Sequence, residues 1–345
     1  MGYQEAARVP VTDVLACRVC ASILALEHDH VDLRCSQCGE IIAFRNGVYY
    51  TGETAAQDFS ARDTIYEFGR RWRTVFREMG SLKKFFLSSI QPVQKDFFKH
   101  KKVIDGGGGF GRLSKLILEY GAEHVLLLDA SDAVLAAKEY LADHADRVTL
   151  VKGDLLVPPF KRQGFDIFLC HGVLHHTGAP EEVLKKATQA LNQKTGAVIF
   201  WVYSKEGNEL MSTLIGFSRW VFARLGDWSR WRAAEAIDVF GWILTNLIYR
   251  PLDKSFGIKN KLYYGEYFMD FLYVKENSNR MDRLQMYHDF LTTKIVDYYS
   301  KDQIRNWLTA LGFKKISIIH YRNQSWSVAA SFDEHADFSG KDESS

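Results

Sequence analysis

The chain has 345 residues, a formal net charge of +2 and 47% hydrophobic residues, which suffices for one large domain or two ordinary ones with a substantial core. A charge this close to neutral does not indicate a nucleic-acid binder, and the lack of an apolar run of about 18 residues argues against a transmembrane helix. The N-terminus shows no secretory signal pattern, so the expected location is cytoplasmic.

Four of the five cysteines form two Cys-x-x-Cys pairs near the N-terminus. They are Cys17, Cys20, Cys35 and Cys38. Each pair presents two thiolates from one turn, so the set predicts a structural, tetrahedral Zn²⁺ site with no open coordination position. Two disulfides are the alternative, which the missing export signal disfavours. Residues 1–52 are predicted to form this zinc unit, which ends in a hairpin over 41–50 with Asn46-Gly47 as its turn.

A helical linker or lid is predicted over residues 53–100, because aromatic and aliphatic side chains recur there at helical spacing. Between Ala61 and Lys102, eleven Lys and Arg residues stand against four acids. Such a local excess of positive charge is either a solvated helical face or a source of cations for an anionic substrate.

A glycine-rich loop between two buried strands is the central motif of the chain. The first strand ends at Asp105, an amphipathic helix follows over 112–120, and the second strand ends at Asp129. The loop glycines are Gly106, Gly107, Gly108, Gly109 and Gly111. A loop without side chains at a helix N-terminus lets the backbone approach a ligand, and an acid ending the next strand can accept hydrogen bonds from ribose hydroxyls. These features predict a ribose-bearing cofactor.

Two cofactor fingerprints overlap in this loop. Gly106-x-Gly108-x-x-Gly111 fits the dinucleotide pattern. Asp105-x-Gly107-x-Gly109-x-Gly111 resembles the first motif of class I S-adenosylmethionine (SAM) methyltransferases, although an unbroken run of four glycines departs from the commoner loop. Further along the chain, residues 165–177 (FDIFLCHGVLHHT) closely resemble the fourth strand of that family and the segment after it. The order of these pieces favours SAM over a dinucleotide.

The resemblance implies an α/β fold of the Rossmann-like, seven-stranded class I methyltransferase type, with the last strand antiparallel. It covers residues 101–203 and 293–333, and the cysteine unit resembles the zinc ribbon ahead of some methyltransferase domains. It further implies that the acid of the Gly-Asp-Leu loop at 153–155 holds the adenine amino group. The implied cofactor-binding residues are Asp105, Gly106, Gly107, Gly109, Gly111, Asp129, Ala130, Asp154, Leu155, His171, Gly172 and, in the lid, Tyr66 and Trp72.

Residues 204–292 exceed the minimal fold and are predicted to be a helical substrate-recognition insertion. Its Trp and Phe residues are too many for one thin helical layer to bury, so a cap over the cleft, a homodimer interface and a lipid-facing surface remain open. Residues 334–345 are polar and acidic and are predicted to be a disordered tail.

Methyl transfer from SAM needs an aligned nucleophile, exclusion of water and a group that takes up a proton. His175 and His176 are the candidate general bases, although either can instead pack or bond to backbone; a three-histidine metal site with His171 lacks a supporting carboxylate motif. The expected acceptor is a small molecule, anionic or lipid-linked. An rRNA or tRNA methyltransferase that binds RNA through the ribbon and the basic segment is the alternative, and a SAM-binding scaffold without activity is the third reading.

Overall fold

The structure is a computed structural model that describes residues 9–26, 32–52, 80–222, 224–258 and 296–339, together with six isolated positions between 280 and 293. Residues 53–79 of the predicted linker or lid lie outside the described residues, and so do its two candidate cofactor contacts, Tyr66 and Trp72.

A sheet of eleven strands runs through the described part of the chain. The strands are β1 (Leu24–Leu26), β2 (Leu33–Cys35), β3 (Ile41–Arg45), β4 (Val48–Tyr50), β5 (Lys102–Gly106), β6 (His124–Asp129), β7 (Val148–Lys152), β8 (Ile167–His171), β9 (Ala197–Tyr203), β10 (Lys315–Tyr321) and β11 (Ser325–Ser331). Their spatial order is β1-β2-β3-β4-β7-β6-β5-β8-β9-β11-β10.

Helices cover both faces of the sheet and form the insertion. Among the described residues the α-helices are α1 (Val11–Val14), α2 (Gly80–Ser89), α3 (Arg112–Glu119), α4 (Ala133–Tyr140), α5 (Pro180–Ala190), α6 (Glu209–Phe222), α7 (Asp227–Ile243), α8 (Arg250–Phe256) and α9 (Lys301–Ala310). A π-helical stretch, Leu244–Tyr249, joins α7 to α8. Short 3₁₀ turns lie at Lys95–Phe98, Ala142–His144 and Leu174–His176.

Strands β5 to β11 reproduce the predicted methyltransferase sheet. Strands β7, β6, β5, β8 and β9 are parallel, and β11 lies antiparallel between β9 and β10. Helices on both faces bury these strands, which is why a segment such as Val125–Leu128 is uniformly apolar rather than alternating. The predicted fold class is confirmed for this part of the chain.

The sheet is nevertheless wider than the seven strands predicted. Strand β4 pairs in parallel with β7, with Tyr49 opposite Val151 and Tyr50 opposite Lys152, and β3, β2 and β1 continue the order outward. The hairpin turn is as predicted, since Asn46 and Gly47 both have positive φ. The pattern of residues 41–50 indicates a hairpin but does not show which sheet edge the hairpin will join. The predicted number of strands in this sheet was therefore too low by four, the N-terminal strands β1 to β4.

The C-terminal part of the fold closes as predicted up to Ser331 and differs beyond it. Helix α9 begins with a capping box, in which Ser300 Oγ accepts from the Gln303 amide and Gln303 Oε1 accepts from the Ser300 amide. Phe338 is 4% exposed, and its carbonyl accepts a 2.9 Å hydrogen bond from the Gln94 amide. The predicted disorder of 334–345 is therefore wrong for 334–339, because one aromatic anchors this segment; 340–345 lie outside the described residues.

The insertion is helical where the structure describes it. Helices α6 and α7 lie in the segment predicted to be helical, and they run over Glu209–Phe222 and Asp227–Ile243. Within the described ranges, no helix combines the length and the apolarity that crossing a bilayer requires.

Candidate cofactor and acceptor site

The ends of four adjacent parallel strands bring the predicted cofactor residues together. Strands β5, β6, β7 and β8 are neighbours in the sheet and point the same way. The residues at their carboxyl ends therefore share one edge, where open α/β sheets bind ligands. This edge carries the motif residues Asp105, Gly106, Gly107, Gly109, Gly111, Asp129, Ala130, Asp154, Leu155, His171 and Gly172.

Two positions of the loop lack a side chain for different structural reasons. Gly107 has φ +77°, and a Cβ there would lie 2.5 Å from Val173 Cγ2, so the loop and the segment after β8 pack too closely for any side chain. Gly109 has φ +58°, and a Cβ there would meet nothing within 4 Å. The backbone at Gly109 thus borders open space, as the cradle of a ligand requires.

The Asp129 carboxylate ties the glycine loop to the end of β6. Its Oδ2 accepts a 2.8 Å hydrogen bond from the Gly109 amide, and its Oδ1 accepts bonds of 2.8 and 2.6 Å from the amide and hydroxyl of Ser131. A carboxylate offers about four lone-pair positions, so Oδ2 keeps room for a further donor such as a ribose hydroxyl. Burial raises the pKa of the Asp129 carboxyl, while the hydrogen bonds from Ser131 and Gly109 oppose that rise.

The Asp105 carboxylate is buried beneath the glycine loop and is hydrogen-bonded to one residue, Ser114. It is 1% exposed, and its Oδ2 accepts a 2.7 Å hydrogen bond from Ser114 Oγ on α3. Burial, helped by the neighbouring charge of Asp129, raises the pKa of the Asp105 carboxyl to about 6. A cationic ligand close to this edge would favour the ionised form, which fits the positive sulfonium and amino groups of SAM.

Asp105→Asn is expected to make the protein more stable at neutral pH, by about 3 kcal/mol. The wild-type carboxyl titrates near 3.8 when unfolded and near 6 when folded, so the native state binds more protons between these values and the free energy of unfolding falls as pH rises through that window. Asparagine still accepts from Ser114 and carries no charge. Urea unfolding of both proteins should show that the difference in the free energy of unfolding grows from about pH 4 to pH 7. A difference independent of pH would contradict the raised pKa of Asp105.

The Gly-Asp-Leu loop after β7 lies directly beside Asp129. The Gly153 amide donates a 3.0 Å hydrogen bond to the Asp129 carbonyl, and Asp154 Oδ1 accepts a 2.9 Å bond from the Leu156 amide. Leu155 is buried against the position of Gly106. These hydrogen bonds fix the loop beside the end of β6, and Asp154 lies on the same strand edge as the glycine cradle.

His171 and Gly172 lie at the other side of the cradle, at the end of β8. His171 Nε2 and Ser89 Oγ form a 2.7 Å hydrogen bond, and the His171 ring stacks on Trp201 at 5.4 Å between centroids. Burial lowers the pKa of His171 to about 3, so its ring is neutral at physiological pH. Ser89 comes from α2, and this bond therefore fixes the segment before β5 against the site.

Six aromatic and imidazole rings form what we call the ring cluster, next to His171. Its members are His171, His175, His176, Trp201, Tyr203 and Tyr298. The His175 ring lies 4.1 Å from that of His176 and 4.4 Å from that of Tyr203. Because Val173 touches the glycine loop and His175 follows two residues later, the cluster adjoins the cradle.

Two buried nitrogens of the ring cluster have no hydrogen-bond partner within the described part of the chain. They are His175 Nδ1 and Trp201 Nε1. Buried polar atoms are nearly always bonded in native proteins, and an ordered buried water is one partner that satisfies such an atom. Burial lowers the pKa of His175 well below its usual value, and the ring is therefore neutral.

Within the described part of the insertion, Arg219 brings a cation to the ring cluster. Arg219 of α6 hydrogen-bonds Tyr298, and its charge contributes to lowering the pKa of His175. The insertion thus places a guanidinium, which matches carboxylates and phosphates, against the rings.

The four cysteines of the N-terminal unit converge as predicted. Their Sγ atoms all lie within 4.8 Å of one another, with Cys17 to Cys38 at 3.5 Å and Cys20 to Cys35 at 3.4 Å. Zn–S bonds of about 2.3 Å in a tetrahedron place sulfurs about 3.8 Å apart, so the set fits one zinc ion. Among the described residues this is the group that could hold a metal; the three histidines at 171, 175 and 176 do not form one.

Several residues that build the site were not predicted. Ser114 and Ser131 hold the two acids, Ser89 holds His171, and Trp201 and Arg219 shape the ring cluster. The two serines that follow the glycine loop and β6 could have been noticed as donors close to an acid in the sequence. Ser89 and Arg219 are far from their partners along the chain, and no sequence signal marks them.

Comparison with known proteins agrees with this geometry. A family model described as a methyltransferase domain matches residues 104–197, from β5 to the start of β9. Protein arginine N-methyltransferase 1 of Saccharomyces cerevisiae is 43% identical over 63 residues, which span 18% of this chain and 18% of that protein.

Two solved structures resemble this chain over more of its length, at low identity. Magnesium protoporphyrin IX methyltransferase of Synechocystis PCC 6803 with bound SAM is 14% identical, with 81% of this chain and 99% of that chain covered and a TM-score of 0.41. Human N-acetylserotonin methyltransferase in complex with SAM is 12% identical, with 79% and 64% covered and the same score. Likenesses of this size identify no acceptor. The family model matches about a quarter of the chain, and the strand-end geometry of that part agrees with a methyltransferase domain.

Proposed function

We propose that the protein transfers a methyl group from SAM to a small-molecule acceptor that carries an anionic group, such as a sugar derivative, a lipid-linked intermediate or a secondary metabolite. The observation that carries this proposal is the ring cluster beside the glycine cradle, with Arg219 at its side. Rings of this kind enclose a flat or apolar acceptor body, and the guanidinium pairs with its anion.

The chain's own residues would hold the cofactor at the shared strand edge. The Gly107–Gly109 backbone borders it, Asp129 accepts from the ribose hydroxyls, and Asp154 accepts from the adenine amino group. SAM, when bound, supplies a methyl group that its sulfonium already activates. The protein therefore needs to orient the acceptor, exclude water and take up one proton if the acceptor loses it.

His176 is the better of the two candidate bases. Its ring is half-buried, whereas His175 is 1% exposed and reaches no acceptor without rearrangement. His175 packs between His176 and Tyr203, so its role in this proposal is to position the His176 ring. A neutral imidazole at the edge of the cluster can accept the proton of a hydroxyl or amine.

His176→Gln is expected to lower kcat by about 100-fold, in the range that removing a general base costs, while the Kd for SAM stays within about twofold. Initial rates and calorimetry with SAM separate the two quantities. Tyr49→Phe, on β4 and outside the ring cluster, serves as a matched control for removing one polar ring group. An unchanged kcat would exclude His176 as the base and leave catalysis to orientation alone.

Arg219→Gln is expected to raise the KM for an anionic acceptor by about tenfold or more, since a charge-assisted hydrogen bond contributes about 1.5–3 kcal/mol. The Kd for SAM should not change, because Arg219 lies against the rings and not the glycine loop. Lys185→Gln, a surface cation on α5 paired with Glu182, is the control. An equal loss with neutral acceptors would show a structural role instead.

RNA is the second candidate acceptor, and one feature favours it. A cavity of about 240 Å³ between the cysteine unit and the methyltransferase sheet is lined by Arg18, Arg162 and Lys186, among others. Arg18 is bonded to Glu40 and Lys186 to Glu182, so much of this charge is already neutralised. The cavity is therefore weaker support for RNA than the ring cluster is for a small acceptor.

The proposal is tested by incubating the protein with methyl-labelled SAM and three fractions of a cell extract: small molecules, lipids and RNA. Label is expected in the small-molecule or lipid fraction, at a rate indifferent to added RNA. Label confined to RNA, with an RNA affinity that falls steeply with salt, would overturn the small-molecule proposal. Binding of SAM without transfer to any fraction would support a non-catalytic scaffold.

We infer that the four N-terminal cysteines hold one structural Zn²⁺ ion. Four thiolates leave no open position for catalysis, so the ion's role here is to fold the unit that extends the sheet through β4.

A further inference from the structure

The cysteine unit ends at the edge of the sheet that carries the cofactor residues. Its last strand, β4, runs parallel to β7, with Tyr50 opposite Lys152. Lys152 is in turn opposite Asp129 of β6. The carboxyl ends of β6, β7 and β4 therefore form one row across the sheet. Thr51, directly after β4, lies against the loop that begins at Gly153.

Thr51 binds the peptide group that joins β7 to this loop. Its amide donates a 3.1 Å hydrogen bond to the Lys152 carbonyl, and its hydroxyl donates a longer one, of 3.3 Å, to the same oxygen. The amide of that peptide group, Gly153 N–H, donates to the Asp129 carbonyl at 3.0 Å. The peptide group is thus held between β4 and β6, and its orientation sets the direction in which the chain continues to Asp154.

The Thr51 side chain also explains why residue 153 is a glycine. A Cβ on Gly153 would lie 2.4 Å from Thr51 Oγ1, and the next two atoms that it would meet, at 3.5 and 3.6 Å, are carbons of Thr51 as well. The φ angle of Gly153 lies outside the left-handed region, so its backbone conformation does not itself require glycine. Thr51 is 2% exposed. Glycine is required here because the loop packs closely on Thr51.

Asp154 follows this contact by one residue. Its Oδ1 accepts from the Leu156 amide, and a carboxylate has about four lone-pair positions, so the same group can also accept from an amino group of a ligand. Adenine offers an exocyclic amino group, whereas hypoxanthine has a carbonyl oxygen at the same position, and a site built to bond a donor rejects the analogue that lacks it. Since hydrogen bonds weaken outside a narrow range of distance and angle, such selectivity depends on where the loop holds the carboxylate.

We propose that Thr51 is a positioning residue of the cofactor site and that, through its contact with Gly153, it sets the selectivity of the site for adenine. The cysteine unit thereby takes part in recognition of the base. Thr51 acts through the peptide group between Lys152 and Gly153 and needs no contact with the cofactor. This inference rests on the proposed use of SAM and on Asp154 as the acceptor for the adenine amino group.

The ratio of two dissociation constants tests the proposal on the full-length protein. The ligands are S-adenosylhomocysteine, the demethylated form of SAM, and S-inosylhomocysteine, whose base lacks the amino group. The wild type is expected to bind the adenine compound at least about tenfold more tightly, in the range that a hydrogen bond to a charged group contributes. In Thr51→Val, which replaces the hydroxyl by a methyl group, this ratio should fall to about threefold or less. Thr51→Ser keeps the hydroxyl and should keep the wild-type ratio.

Thr149→Val is the matched control. Thr149 lies near the start of β7, away from the carboxyl end, is 7% exposed and shares a 3.0 Å hydrogen bond with His124 Nε2. The control therefore loses a buried, bonded hydroxyl from the strand that Thr51 contacts, and its ratio should stay at the wild-type value. A ratio that is unchanged in Thr51→Val, or lowered equally in Thr149→Val, would overturn the proposal.

Gly153→Ala tests the same contact from its other side and does not depend on the folding of Thr51→Val. The added methyl group would meet Thr51 Oγ1 and displace the loop, so the ratio should fall. Thr51→Ala should lower the ratio as well, but it removes the obstacle. Adding Gly153→Ala to Thr51→Ala should then change the ratio by less than about twofold, because both effects come from one contact. Losses that multiply in the double variant would contradict a shared contact.

The same measurements separate this inference from the proposed function. Wild-type protein that binds neither ligand would reject SAM as the cofactor, and both proposals with it. Wild-type protein that binds both ligands equally would overturn the selectivity for adenine and leave methyl transfer as proposed.

Discussion

Asp129→Ala is expected to weaken SAM binding by about 100-fold while lowering the free energy of unfolding by only about 1 kcal/mol. The carboxylate offers the ribose hydroxyls charge-assisted hydrogen bonds, each of which contributes about 1.5–3 kcal/mol, and about 1.4 kcal/mol corresponds to tenfold in affinity. Its loss also releases the Gly109 amide and so loosens the cradle for the same ligand.

The small expected effect on folding has its own physical reason. Burial raises the pKa of the Asp129 carboxyl, which means that the folded protein holds this charge at a cost. Removing it relieves that cost and offsets part of the three lost hydrogen bonds. Isothermal calorimetry with SAM and urea unfolding measure the two quantities on the same preparation.

Two further variants distinguish a direct contact between Asp129 and SAM from an effect of Asp129 on the order of the glycine loop. Ser131→Ala removes the 2.6 Å hydroxyl bond to Asp129 and leaves the carboxylate in place, so we expect less than about a fivefold loss of affinity. Asp129→Asn turns an acceptor into a donor that faces the Gly109 amide, and it should bind SAM as poorly as the alanine variant. Equal losses of affinity and stability in Asp129→Ala would make Asp129 a structural acid only.

The sequence was most informative where local chemistry and chain order coincide. The glycine run, the acid at 129 and the apolar strands could be predicted because each depends on residues close together in the chain: φ > 0 at Gly107 and Gly109 favours glycine, and a strand buried on both faces has to be apolar. Because β5, β6 and β8 were predicted to be parallel, Asp105, Asp129 and His171 at their carboxyl ends could be assigned to one edge of the sheet.

The parts that could not be predicted depend on contacts between distant residues. Strand β4 joins β7 across about one hundred residues, and nothing in the hairpin's alternation distinguishes the edge of its own sheet from that of another. Ser89 reaches His171, and Arg219 reaches Tyr298, for the same reason. Residues 334–339 were predicted to be disordered because of their polar composition. They are ordered because one aromatic residue, Phe338, packs against Phe97 with 5.5 Å between ring centroids.

Removal of zinc is expected to unfold the cysteine unit and to weaken SAM binding together with it. Structural zinc sites contribute on the order of 10 kcal/mol to the folding of small zinc peptides. The unit does not stand apart from the rest of the chain: Leu24, Leu33 and Ile42 belong to the same buried cluster as Ile104 and Leu126 of the sheet. Loss of the zinc ion should therefore expose apolar side chains of the sheet as well as those of the cysteine unit.

The effect on the cofactor site follows from how β4 meets β7. The Thr51 amide donates a 3.1 Å hydrogen bond to the Lys152 carbonyl, directly before the loop that carries Asp154. Lys152 also pairs with Asp132 at 2.5 Å. Without β4 the end of β7 becomes a free sheet edge, and we expect the Kd for SAM to rise by about tenfold or more.

Cys17→Ser and Cys170→Ala form the matched pair for this test. Both cysteines are buried, but Cys170 lies in β8 and not in the thiolate set, so Cys170→Ala should keep about one zinc per chain by elemental analysis while losing some stability through its cavity. Cys17→Ser should lose the zinc, lower the Tm strongly and weaken SAM binding. Zinc-free wild-type protein that binds SAM with unchanged affinity and Tm would show that the cysteines hold no structural ion, and that β4 stays on the sheet through its own packing alone.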